Sequence, residues 1–90
     1  MNQRIHAFFS GEVQGVGFRF TARSLANQYR VKGWVKNTGD GKVELIAEGP
    51  RENVDNFIIG LNQEFKRNVT DLQIKRQEYG GEYRDFIIRF

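Results

Sequence analysis

The chain has 90 residues, a formal net charge of +3 and no cysteine, and 39% of its residues are hydrophobic. This length and the eight Phe residues suit one domain over residues 1–90 with a single core, and the lack of cysteine excludes disulfides and thiolate chemistry. The positive charge is too small and too dispersed to indicate nucleic acid by itself. The apolar runs are too short for a membrane span and no secretory signal is visible, so we expect a cytoplasmic protein.

The first half of the chain alternates strand-like and helix-like patterns. Arg4 to Val13 is rich in Ile, Phe and Val, which predicts a strand. Phe18 to about Arg30 repeats apolar residues at helical spacing and predicts an amphipathic helix. Val31 to Asn37 and Lys42 to Glu48 predict two more strands, which the turn signal Thr38-Gly39-Asp40-Gly41 joins as a hairpin.

The second half predicts another helix and two strands. Proline suits the first helical position, so Gly49-Pro50 predicts the start of this helix. Its apolar stripe comprises Val54, Phe57, Ile58, Leu61 and Phe65. Leu72 to Tyr79 and Tyr83 to Phe90 predict the last two strands, joined across Gly80-Gly81.

The order β-α-β-β-α-β-β indicates an α+β fold. Two helices cannot cover both faces of five short strands, so we expect both on one face of a mostly antiparallel five-stranded sheet. The first six elements match the ferredoxin-like, or split βαβ, arrangement, and the seventh adds a C-terminal strand. This fold hosts many functions, so function depends on the site.

The segment GEVQGVGFR, from Gly11 to Arg19, is typical of a loop that binds an anion. Gly15 and Gly17 permit backbone angles that turn successive N–H groups inward. The helix start that follows adds free N–H groups, and Arg19 adds a fork of donors that matches phosphate oxygens. The alternative is a tight strand-to-helix turn with a solvated Arg19. Arginine in a first turn opposes the helix dipole, which favours the ligand-binding interpretation.

Several chemistries are excluded by what the chain lacks. The glycine spacing matches no phosphate-loop NTPase motif, and Phe20 stands where a dinucleotide fingerprint needs a third glycine. One histidine, His6, and no cysteine leave neither a zinc site nor a catalytic triad. Catalysis would therefore need an activated substrate. A phosphate anhydride qualifies, because a carboxylate leaving group with a pKa of about 4 needs no strong general acid.

Asn37 is the second candidate side chain, at the end of the second predicted strand. Its amide is uncharged and carries both a donor and an acceptor. It can therefore hold a water molecule near a phosphate without repelling the anion. The alternative is an ordinary turn residue, because Asn is common in turns.

Residues 11–19 and residues 33–49, reading GWVKNTGDGKVELIAEG, resemble the two signatures of the acylphosphatase family. The resemblance implies hydrolysis of acyl phosphates to a carboxylate and inorganic phosphate, with no cofactor and no metal. It implies that Arg19 binds the phosphoryl group and that Asn37 orients the attacking water. It also implies a sheet order of 4-1-3-2-5 and a phosphate cradle made by the backbone N–H groups of Gln14, Gly15, Val16, Gly17, Phe18 and Arg19. Thr38 is either an auxiliary hydroxyl contact or an ordinary turn residue.

The expected partner is a small acyl phosphate, with inorganic phosphate as product and with no nucleic acid or membrane partner, and we expect a monomer. Two alternatives stay open. Acylphosphatase-like domains also occur inside larger proteins, such as a hydrogenase maturation factor that handles carbamoyl phosphate. RNA-recognition motifs share the β-α-β-β-α-β order, although their stacking aromatics lie on the third strand, where this chain has none.

Overall fold

The computed structural model describes residues 1–90 and contains seven elements in the predicted order. They are β1 (Asn2–Gly11), α1 (Phe18–Gln28), β2 (Lys32–Asn37), β3 (Val43–Pro50), α2 (Arg51–Glu64), β4 (Val69–Gln77) and β5 (Phe86–Arg89). The strands form one sheet in the order β4-β1-β3-β2-β5, antiparallel except for the parallel pair β2–β5. The predicted α+β fold and sheet order are therefore confirmed. Neither helix is long and apolar enough to cross a membrane.

The core lies between the sheet and the two helices. Alternate residues of β1, namely Ile5, Ala7 and Phe9, are buried against the helices, as the period of two predicts. Phe18, the first residue of α1, is 2% exposed, and its ring centre lies 4.9 Å from that of Phe9 and 4.5 Å from that of Phe65. These contacts fix the start of α1, and hence the loop before it, to the core.

Two of the element boundaries that differ from the predictions have a clear cause in the structure. β1 ends at Gly11 rather than at Val13, because the register shifts after Ser10 and the Gly11 backbone, with φ 117°, approaches the Asn68 carbonyl too closely for a Cβ. The prediction that Pro50 is the first helical residue is wrong. Pro50 pairs with Asn2 as the last residue of β3 and is the N-cap of α2, with an extended ψ of 140°.

The last strand was predicted from Tyr83 to Phe90, but β5 has only four residues, because the segment before it crosses the sheet instead of pairing in it. Residues 78–85 join β4 at one sheet edge to β5 at the other by crossing the face that carries no helix. The carboxylate of Glu48, which is 2% exposed, accepts hydrogen bonds from the N–H groups of Gly80 at 3.0 Å and Glu82 at 3.3 Å. This buried carboxylate holds the crossing segment, which places β5 beside β2.

Gly33 provides a test of the packing between β2 and β3. Its φ is 143°, and an added Cβ would lie 1.9 Å from the Ile46 carbonyl oxygen. We expect Gly33→Ala to lower the free energy of unfolding by about 3 kcal/mol or more, because backbone strain adds to a clash that the sheet cannot relieve. Urea unfolding measures the change. The matched control is Gly39→Ala, which meets open space at an ordinary φ and should change stability by less than about 1 kcal/mol. Equal losses in the two variants would contradict this account.

Candidate active site

The loop between β1 and α1 presents a run of backbone donors that the fold does not use. None of the N–H groups of residues 14–20 donates to a backbone carbonyl of the chain, and the first helical bond is from the Thr21 N–H to the Gly17 oxygen at 3.1 Å. Gly15 and Gly17 have φ values of 76° and 79°, which turn the loop back on itself. Consecutive free N–H groups in such a loop form a concave site for an anion.

The start of α1 lacks the groups that normally neutralise a helix N-terminus. Its N-cap, Gly17, has no side chain to cap the free N–H groups, and the first turn contains no acidic residue. The first turn instead carries the positive charge of Arg19. The N-terminal end of the helix dipole and the guanidinium therefore reinforce each other, and both favour an anion.

A pocket of about 140 Å³ opens at this helix start. It is lined by Val13, Gly15, Gly17, Phe18, Arg19, Phe20 and Asn37. The structure thus places the two predicted side chains, Arg19 and Asn37, around the same pocket as the glycine loop. A larger cavity of about 240 Å³ between α2 and β4 has a mostly apolar lining, so cavity volume alone does not identify the site.

Asn37 is the last residue of β2 and lies two residues after the buried Val35. Both side chains are therefore on the face of the sheet that packs against the helices. Its Oδ1 is shielded from solvent and accepts no hydrogen bond from the protein. A buried acceptor without a donor costs about 1–3 kcal/mol. The terminal torsion of Asn has broad minima, so the amide can turn towards the pocket at little cost. Asn37 therefore has an unused acceptor at the pocket wall.

Gln14 connects the glycine loop to the turn that follows Asn37. Its side-chain Nε2 donates to the carbonyl oxygens of Thr38 at 2.8 Å and Lys42 at 2.9 Å. The sequence analysis assigned Gln14 only a backbone role and missed this one. No local pattern reveals it, because the bonds join residues 24 and 28 positions apart.

Thr38 belongs to the β2–β3 turn. Its hydroxyl donates to the Asp40 carboxylate and accepts a hydrogen bond from the Lys42 N–H at 3.0 Å. The hydrogen bond from Thr38 is the main reason that the pKa of the exposed Asp40 carboxyl lies below its ordinary value. Thr38 does not line the pocket, and these contacts organise the turn that holds Asn37. Its auxiliary contact with substrate stays a prediction.

The end of β5 contributes a contact that the sequence analysis also missed. The Arg19 guanidinium lies 4.8 Å from the centre of the Phe90 ring, and its Nη1 lies 3.5 Å from the Arg89 carbonyl oxygen. β2 and β5 are parallel, with Lys36 opposite Arg89, so Asn37 and Phe90 follow at the same edge of the sheet. The cation–π contact restrains the Arg19 guanidinium near the pocket.

The only histidine lies on the other face of the sheet. His6 Nε2 is 2.7 Å from Glu44 Oε2, and the ring lies between Phe8 and Trp34 on the face that carries no helix. His6 alternates with the buried Ile5 and Ala7, so it faces away from the pocket. No group of three or more His, Asp or Glu side chains lies close enough together to hold a metal ion.

Comparisons with known proteins identify relatives of this chain by sequence and by fold. The acylphosphatase family model matches residues 5–88. An acylphosphatase of Pyrobaculum calidifontis is 45% identical over 94% of this chain and 79% of its own length. The crystal structure of acylphosphatase from Bacillus subtilis is similar over the whole of both chains, with a TM-score of 0.88 and 30% identity. Full-length HypF, in its phosphate- and nucleotide-bound form, matches with a TM-score of 0.80 and 30% identity, over all of this chain but 12% of HypF.

The family match covers nearly the whole chain, and the relatives agree in both sequence and fold. This chain therefore belongs to the acylphosphatase family, whose members are hydrolases that act on acyl phosphates.

Proposed function

We propose that this chain hydrolyses acyl phosphates without a metal ion, with a phosphoryl group held by Arg19 and the N–H groups of residues 14–19, and with a water oriented by Asn37. One observation carries the proposal: the free donors of the loop, Arg19 and Asn37 all surround one small pocket. The pocket offers donors and positive charge to an anion, and the buried Oδ1 of Asn37, an uncharged side chain, is an acceptor that the protein leaves unused.

The donors suit the transition state of phosphoryl transfer. Negative charge spreads over three equatorial oxygens in this transition state, while the attacking and leaving oxygens lie in line. Backbone N–H groups and the Arg19 fork are fixed before the substrate arrives, so they stabilise that charge without further reorganisation. Because Arg19 and the helix start supply the positive charge, we propose that no cofactor is required.

In the proposed reaction, the water oxygen attacks phosphorus and the bond from phosphorus to the acyl oxygen breaks. The carboxylate leaves with the bonding electron pair, and a phosphate oxygen of the substrate accepts a proton from the water. The Asn37 amide directs the water and takes no net proton. A carboxylate leaving group needs no general acid, which is consistent with the lack of a histidine or carboxyl group in the pocket lining.

The RNA-binding alternative receives no support from β3, on the open face of the sheet. There, β3 carries Glu44, Ile46 and Glu48, which are two acids and an aliphatic residue where stacking aromatics are needed. The match to HypF bears on the other alternative, because it shows that this fold also forms part of a much longer protein. We propose that the substrate is a small molecule, that the protein acts as a monomer, and that the active site is complete within residues 1–90.

Arg19→Lys keeps the positive charge of the side chain but loses the bidentate fork. We expect turnover of benzoyl phosphate to fall by about 10²-fold or more, as for the loss of a key transition-state donor. Release of benzoate and phosphate is measured with a chelator present. The matched control is Arg84→Lys, an exposed arginine just before β5, at the opposite end of this strand from Arg89 and Phe90. Loss of wild-type activity in the presence of the chelator would contradict metal independence. Full activity in Arg19→Lys would show that the Arg19 fork is not needed for the reaction.

Asn37→Ala separates water orientation from phosphate binding. We expect turnover to fall by about 10²-fold, whereas the inhibition constant of inorganic phosphate changes by less than about twofold. The control is Asn56→Ala, on the exposed side of α2. If phosphate affinity falls as much as turnover, Asn37 contacts the phosphoryl group and does not act through water.

The pH dependence tests the absence of a histidine base. The pocket lining contains no group that titrates near neutrality, and His6 lies on the opposite face. We expect turnover to stay level between about pH 6 and pH 8, in the wild type and equally in His6→Gln. Initial rates across this range, at a temperature well below unfolding, give the profile. A step in the wild-type profile that His6→Gln removes would show that His6 acts in the reaction.

A further inference from the structure

We infer that Phe20 and Val16 form an apolar rim at the mouth of the phosphoryl pocket, and that this rim receives the acyl group of the substrate. The chain would then prefer aromatic acyl phosphates to acetyl phosphate. This inference rests on the proposed function and adds the substrate class. Phe20 and Val16 adjoin the loop and are among the large apolar residues that the fold leaves exposed, at 57% and 42%.

The size of the pocket places the acyl group at the rim. The pocket holds about 140 Å³, whereas sites that enclose a whole small molecule typically have about 300 Å³ or more. The N–H groups and Arg19 surround the phosphoryl position, so the phosphoryl group takes the available space. The rest of the substrate must then leave through the mouth and contact the side chains that border it.

Phe20 is the one aromatic side chain that both lines the pocket and is exposed at its mouth. It lies in the first turn of α1, directly after Arg19, and lines the pocket while more than half of its surface stays exposed. The Arg23 guanidinium lies 5.7 Å from the ring centre, which restrains the ring through a cation–π contact. A restrained, half-exposed ring beside a phosphate site can stack on a phenyl group with little loss of side-chain entropy.

The chemistry also selects among the exposed aromatics. The attacking water and the leaving group lie on opposite sides of phosphorus, so the acyl group points away from the water held by Asn37. Phe90 follows β5 at the same sheet edge as Asn37 and already packs on Arg19. Phe20 and Val16 belong instead to the loop and the helix start, so they border the leaving group.

Binding of two non-hydrolysable probes tests the rim. Phenacylphosphonate and acetonylphosphonate replace the bridging oxygen of benzoyl and acetyl phosphate with a methylene group. We expect the wild type to bind the phenacyl probe about 3- to 10-fold more tightly in calorimetry, as one aromatic pair provides. Phe20→Ala should abolish this preference, whereas Phe20→Tyr, which keeps the ring, should retain it. The matched control is Ile59→Ala, which truncates an apolar side chain of α2 that is 54% exposed. This variant should leave the preference unchanged.

Equal binding of the two probes by the wild type would overturn the inference, and so would a preference that survives Phe20→Ala. The affinity for inorganic phosphate, measured in parallel, shows whether the cradle of each variant is intact. Assays with benzoyl phosphate keep the two proposals distinct. A preference for the phenacyl probe without turnover of benzoyl phosphate would support the rim and contradict the proposed hydrolysis. Turnover without that preference would support the hydrolysis and contradict the rim.

Discussion

Two hydrogen bonds from the Gln14 amide determine where the parts of the site stand relative to one another. Without them, no hydrogen bond would join the glycine loop to the β2–β3 turn. The bonds to the Thr38 and Lys42 carbonyls link the loop to the turn directly after Asn37. Since a misplacement of about 1 Å costs a large part of a positioned reaction's advantage, the roles proposed for Arg19 and Asn37 require this link to hold.

The site is locally unfavourable, and the surrounding structure compensates for it. An uncapped helix start with a nearby arginine would fray on its own, because its free N–H groups have no acceptor in the protein and its positive charge has no acidic partner. Phe18 prevents this by packing on Phe9 and Phe65 in the core. The helix start and the proposed anion cradle are thus the same segment. Its apolar side chain packs in the core and its backbone carries the free donors, so the proposal couples anion binding to core packing there.

Much of this architecture was predictable from the sequence because it arises from local periodicity. Apolar runs bounded by turn residues indicated the strands, helical spacing indicated α1 and α2, and the glycines indicated the loop. The predictions that failed depend on tertiary contacts. Pro50 remains in β3 because it pairs with Asn2, and residues 78–85 leave the strand pattern because the Glu48 carboxylate holds them across the sheet. The roles of Gln14 and Phe90 were invisible for the same reason, since their partners are remote along the chain.

The position of β1 in the sheet has a consequence for how the protein forms. β1 is flanked by β3 and β4, so its partner residues extend from Val43 to Pro50 on one side and from Val69 to Gln77 on the other. Every pairing of this interior strand is therefore distant along the chain, and distant pairings are slow to form because loop closure precedes the gain in contacts. During synthesis, β1 emerges long before β4. Its apolar residues must wait, unpaired on one side, until almost the whole sheet has been translated.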